Sequence, residues 1–201
     1  MSPTALIFTG PESTGKTTLA EKIRLFFDVP IAKEFARTYL SGKPTGKYTF
    51  PDLKIIAEGQ LNAQNAAKQN AIENNKPFYV CDTDLITLKI WSEQVFGACD
   101  EYILKNLDFG LSTLDVERWK QKFTDRTSNV QSPTSNVYFL CSPKNISWQP
   151  DPLRENPNDR ERLFDLYEKT LIAYKKKYII LEGTETERFF SAENIIRQYL
   201  L

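Results

Sequence analysis

The sequence predicts an α/β fold, a three-layer sandwich in which a five-stranded parallel sheet lies between helices. Three observations carry that expectation. Five short apolar runs recur along the 201 residues, with helical patterns in most of the gaps between them. Strands alternating with helices need crossover connections, and these cover a parallel sheet on both faces. The first run leads straight into Gly10-x4-Gly15-Lys16-Thr17, the spacing of a phosphate-binding loop. The composition, 41% hydrophobic and 26% charged, is that of an ordinary globular domain, and the length suits one domain over 1–201.

TALIFT (4–9) is the first strand. After the loop, Leu19, Ile23 and Phe26 have helical spacing, so 16–27 is a helix. VPIA (29–32) is a short second strand, and 52–74 reads as a long helix. PFYVCD (77–82) is a third strand, apolar enough to be expected at the centre of the sheet. A helix at about 84–96 follows. VYFLCS (137–142) and KYIILEG (177–183) are the fourth and fifth strands, with helices at 159–175 and 191–200. Residues 126–136 are polar and turn-rich and read as a loop. Residues 143–162 carry four prolines, two aspartates and three arginines. That stretch has too little apolar content for core. It is either a solvated linker or, as the phosphate loop favours, a mobile lid that brings arginines to phosphate.

Ligands of such sheets bind beyond the carboxyl ends of the strands. There Gly10, Glu12, Ser13, Thr14, Gly15, Lys16, Thr17 and Thr18 form a nest of backbone N–H groups at a helix N-terminus, suited to nucleotide phosphates. Lys16 would reach the outer phosphates, and the Thr17 hydroxyl would hold Mg²⁺. A chance match to this pattern arises in roughly 1% of chains this long, and the strand–loop–helix setting lowers that further. Asp82 ends the third strand, where an acid can order the metal or meet substrate; the competing role is to cap the next helix, which suits Asp84 better. Glu34 follows the second strand, facing the same crevice, and can take a proton from an attacking hydroxyl. Arg37 lies one turn on and can hold Glu34 or a phosphate oxygen; the plainer alternative is a surface ion pair worth a few tenths of a kcal/mol. Thr184 after the fifth strand and Arg154, Arg160 and Arg162 in the lid complete the nucleotide-side candidates. Tyr39, Tyr48, Trp91 and Phe96 are aromatics near these loops. Singly each reads as core, but together they can hold a flat cationic ring by its face. GKPTGK (42–47) and NKPF (75–78) are decoys: no strand leads into the first and its spacing is wrong, and the second lacks the aspartate in fourth place and sits before a strand rather than after one.

Several classes are excluded. Twenty-six basic and twenty-six acidic residues give zero net charge, so nothing points to nucleic acid or an anionic membrane. The absence of histidine removes His general bases and His metal sites. Three widely spaced cysteines suit a reducing compartment, and neither a signal peptide nor a membrane span is visible. The expectation is a cytoplasmic protein with a small-molecule partner and ATP with Mg²⁺; a homo-oligomer stays open.

Taken together, GPESTGKTTLA, KEFARTYL, GQ (59–60), CDTDLITLKIW and WQPDPLRENPNDRERLF resemble the ribosylnicotinamide kinase domain of NadR-type proteins, from Leu6 to about Tyr178. The resemblance implies a P-loop, nucleoside-kinase-like fold. It implies transfer of the ATP γ-phosphate to the 5′-hydroxyl of nicotinamide riboside, giving nicotinamide mononucleotide for NAD salvage. It maps Lys16, Glu34, Asp82 and Arg154 to catalysis and Arg37, Tyr39, Tyr48, Asp84 and Trp91 to the acceptor side. Trp148, Asp151 and Arg154 match the lid motif, though Pro152 stands where some members have glycine. The chain has no room for the adenylyltransferase domain of two-function members, so a kinase alone is expected. The stretch 106–136 is longer than the resemblance leads one to expect. The competing readings are another nucleoside or deoxynucleoside kinase, and a regulatory module that binds ATP without transferring phosphate.

Overall fold

A computed structural model describes residues 2–43, 47–107, 136–151 and 158–201 of the chain. Arg154, most of the 106–136 stretch and the middle of the 143–162 segment lie outside these residues. β1 (Thr4–Thr9) is buried along its whole length. It pairs in parallel with β3 (Phe78–Asp82) on one side and β4 (Val137–Cys141) on the other. β2 (Ile31–Ala32) pairs with β3 and β5 (Lys177–Leu181) with β4, so the order is β2-β3-β1-β4-β5, all parallel. The middle place thus belongs to β1 rather than to the 77–82 strand, although β3 also has a neighbour on each side.

The period-2 alternation of β1 divides the core. Leu6 and Phe8 pack on one face with Leu19 and Ile23 of α1 (Lys16–Phe27) and Ile196 of the C-terminal helix. Ala5 and Ile7 face the other side, with residues from α2 (Phe35–Leu40), α3 (Phe50–Glu73), α4 (Leu85–Phe96) and α5 (Glu101–Asn106). α6 (Arg160–Ala173) adds Tyr167 and Leu171 to this second layer. Phe8 and Phe139 are fully buried with ring centroids 5.1 Å apart. Each such side chain contributes about 1.5–3 kcal/mol by leaving water.

The sheet and five expected helices are present, with differences that have local causes. β2 is two residues long because the Val29 N–H is spent on Arg24 O, closing the end of α1. α2 and α5 have six residues each, too few for a periodic pattern. α7 (Glu185–Leu200) starts six residues before the expected 191. A capping box drives this: the Thr184 N–H donates to Glu187 Oε2 at 2.7 Å, and Thr184 Oγ1 accepts from the Glu187 N–H. No helix among the described residues is long and apolar enough to cross a membrane.

Candidate active site

The carboxyl ends of β1, β2 and β3 meet at a cavity of about 600 Å³. Its floor is the loop between β1 and α1. Gly10 has φ +131°, and a Cβ there would stand 2.7 Å from Cys141 O, so the loop can lie against β4 only with glycine at this position. Gly15, at φ +77°, turns the chain into α1. The Thr14 hydroxyl donates to Pro11 O at 2.9 Å and Lys16 Nζ donates to the same oxygen at 2.6 Å, which folds the lysine back over the loop. Burial lowers the Lys16 pKa, against the raising pull of Glu34 and Asp82. An ammonium without a full counter-charge is suited to receive an anion.

Asp82 lies at the end of β3, 2% exposed, and its Oδ1 is buried without a hydrogen-bond partner among the described residues. Burial pushes its carboxyl up to about 6. Glu34 adds to the rise, while a hydrogen bond from Thr17 and the Lys16 charge oppose it. A buried carboxylate oxygen without a donor, beside a threonine hydroxyl, is an oxygen donor set that fits a hard cation. No group of three or more acidic or sulfur ligands occurs among the described residues. A metal here would therefore take one carboxylate, one hydroxyl and ligand oxygens, the pattern of Mg²⁺ on phosphates.

Glu34 lines the cavity as the residue before α2, and its Oε2 accepts from Arg37 Nε at 2.8 Å. Arg37 Nη1 also donates to Asp151 Oδ2 at 2.9 Å, so the pair is tied across the cavity to the segment after β4. Gln60, buried on α3, accepts the Phe35 N–H at 2.8 Å, and its amide approaches Thr83 O at 3.5 Å. It thereby links the two loops that carry Glu34 and Asp82. At the far end Trp91 Nε1 donates to the Tyr48 hydroxyl at 2.9 Å, and the rings lie 4.7 Å apart.

The phosphate-loop residues, Glu34, Arg37, Tyr48, Trp91 and Arg162 all line this one cavity. Arg160 reaches the loop by donating to Ser13 O at 3.2 Å, with Trp148 beneath its guanidinium at 5.9 Å. Three candidates are placed elsewhere. The Tyr39 hydroxyl donates to Asp52 Oδ1 at 2.7 Å, an oxygen also held by Lys43, and its ring stacks on Phe35 with centroids 6.4 Å apart. Asp84 is the N-cap of α4: Oδ1 accepts the Ile86 N–H and Oδ2 the Tyr138 hydroxyl at 2.6 Å, which turns the carboxylate into the helix start and the core. Thr184 is spent on the capping box of α7. Arg188 lines the cavity from α7, and nothing in its sequence neighbourhood signals that role.

A family model described as AAA domain matches residues 5–188. The chain belongs to that family. Solved structures share the fold of this AAA-domain chain. A NadR protein in complex with NR is 17% identical with TM-score 0.67, covering 99% of this chain and 52% of the other. A NadR protein in complex with NAD and AMP-PNP is 18% identical with TM-score 0.64, covering 99% and 50%. The thymidylate kinase of Ehrlichia chaffeensis is 9% identical with TM-score 0.57, covering 98% and 100%. At these identities the likeness is one of fold, that of P-loop kinases, and the AAA-domain chain spans about half the length of the NadR structures. No curated protein sequence matches it.

Proposed function

We propose that the chain is an ATP-dependent kinase that phosphorylates the 5′-hydroxyl of nicotinamide riboside to nicotinamide mononucleotide. The observation that carries this is the single cavity that joins the phosphate loop to Glu34 and to the Tyr48–Trp91 pair. Its lining brings together a loop suited to a polyphosphate, an aromatic pair suited to a flat ring, and the Glu34 carboxylate. The NR and AMP-PNP held by the NadR proteins of the same fold are ligands of these two kinds.

In this reading the loop N–H groups, Lys16 and Thr18 hold the ATP phosphates, with Arg162 in the cavity lining and Arg160 at the loop beside them. Thr17 and Asp82 would hold Mg²⁺, which neutralises phosphate charge when bound. Glu34 accepts the proton of the 5′-hydroxyl as its oxygen bonds to the γ-phosphorus and the bond to the β-phosphate oxygen breaks. The Arg37–Asp151 tie holds Glu34 in place. The Tyr48 and Trp91 faces attract the cationic pyridinium by about 0.5–2 kcal/mol, depending on desolvation. The three cysteines are free thiols, in keeping with a cytoplasmic enzyme.

The test is a panel with ATP and Mg²⁺: nicotinamide riboside, uridine, thymidine and deoxyadenosine at equal concentration. The expected outcome is the highest specificity constant for nicotinamide riboside. A clearly higher value for a neutral nucleoside would assign the chain to another class of nucleoside kinase. Nucleotide binding without phosphate transfer to any acceptor would favour a regulatory module.

A further inference from the structure

Arg188 is the most buried cation lining the cavity among the described residues. It lies on α7, 2% exposed, and it makes no ion pair among the described residues. Its four hydrogen bonds all go to main-chain carbonyls. Nε donates to Gly183 O at 2.8 Å, where β5 ends. Nη1 donates to Thr14 O at 2.9 Å, in the phosphate loop. Nη2 donates to Ser142 O at 2.8 Å and Lys144 O at 3.1 Å, where β4 ends. One planar group therefore fastens the phosphate loop to the exits of two neighbouring strands. A guanidinium can do this because its donors form a rigid fork.

The charge is left over. Glu182 pairs with Lys144 at 3.5 Å instead. The Cys141 thiol beside the guanidinium is kept neutral, its pKa pushed up to about 11 by burial. Buried charges are ordinarily paired, because an unpaired one is costly to desolvate. Arg188 lines the cavity together with Ser13, Thr14 and Lys16.

We propose that Arg188 is a positioning residue for the nucleotide phosphates: it holds the phosphate loop in its binding shape through Thr14 O and carries a fixed positive charge whose counter-ion is the bound polyphosphate. This rests on the nucleotide reading above, and it goes beyond that reading by assigning a second buried cation outside the loop motif. The two effects separate by substitution. Arg188→Gln removes the charge. Arg188→Lys keeps it, but a single ammonium nitrogen with three donors cannot span carbonyls of four residues. A charge effect grows with the number of phosphates on the ligand, whereas general damage to the fold weakens every ligand alike.

The experiment is calorimetric binding of ATP, ADP and AMP to the wild-type chain and both variants, with circular dichroism to verify folding. Expected is a loss of about tenfold or more for ATP in Arg188→Gln, a smaller loss for ADP and the smallest for AMP. Arg188→Lys should lie between wild type and Arg188→Gln for ATP. If Arg188→Gln does not fold, Arg188→Lys is read alone, and a loss that is the same for all three ligands, or no loss, overturns the inference. Equal losses down the ladder in a folded Arg188→Gln also overturn it. A wild-type chain that binds none of the three overturns the nucleotide reading and this inference with it, whereas wild-type binding with equal losses overturns this inference alone.

Discussion

Asp82→Asn should make the nucleotide-free protein more stable at pH 8 while it abolishes most of the activity. The Asp82 carboxyl is 2% exposed, one oxygen has no hydrogen-bond partner among the described residues, and burial holds its pKa at about 6 against an ordinary 3.8. A folded pKa above the unfolded one means that folding favours the protonated acid. That contribution is complete below about pH 4 and is lost as the pH rises through about 6. Two pH units correspond to about 3 kcal/mol, and this is the ceiling on what the ionised group costs the fold at pH 8. Part of it is offset in the variant, because Lys16 loses one of the carboxylates that favour its charge. A gain of about 1–3 kcal/mol is therefore expected at pH 8, shrinking towards zero near pH 4.5. The assay is urea unfolding of both proteins from pH 4.5 to 8 in the presence of a chelator. Added Mg²⁺ and ATP should then stabilise the wild type more than the variant. An asparagine variant that is less stable than wild type at pH 8, or a difference that does not change with pH, would refute the account of Asp82 as a buried, under-satisfied acid.

Lys16→Ala should leave the circular dichroism spectrum unchanged and reduce turnover by about 10²-fold or more, since a charge of this kind on the outer phosphates is worth roughly 3 kcal/mol in rate; wild-type turnover would remove the phosphate-loop assignment. Glu34→Gln keeps the shape of the side chain but cannot accept the hydroxyl proton, so kcat should fall by about 10²–10⁴-fold with little change in ATP affinity. Near-normal turnover in that variant would move the base role to another carboxylate. Gly59→Ala places a Cβ 2.2 Å from the Phe35 ring, one residue from Glu34. The overpacking should cost about 1–3 kcal/mol of stability and lower kcat more than it weakens ATP binding, which steady-state kinetics and a denaturant titration together would establish.

Local spacing was enough to read much of this protein. The phosphate loop, the α1 boundaries and the five strands depend on residues close together in the chain: glycines at fixed intervals, apolar runs of strand length, a helical repeat after Lys16. A capping threonine three residues before a glutamate, as at Thr184, is also a local signal, and it places that hydroxyl in a helix cap. The convergence of Glu34 and Asp82 on Lys16 followed from the rule that parallel strands end on the same side. Tertiary structure decided what depends on distant partners. Tyr39 is drawn away from the cavity by Asp52, and Asp84 is claimed by Tyr138, fifty-four residues along the chain. β1 takes the middle of the sheet because hydrogen-bond pairing, and not the degree of apolarity, sets strand order. Arg188 joins the site from 174 residues beyond Thr14. A hydrogen bond across that separation leaves no periodic trace, because it requires only that one guanidinium and four carbonyls arrive at the same place when the sheet has formed.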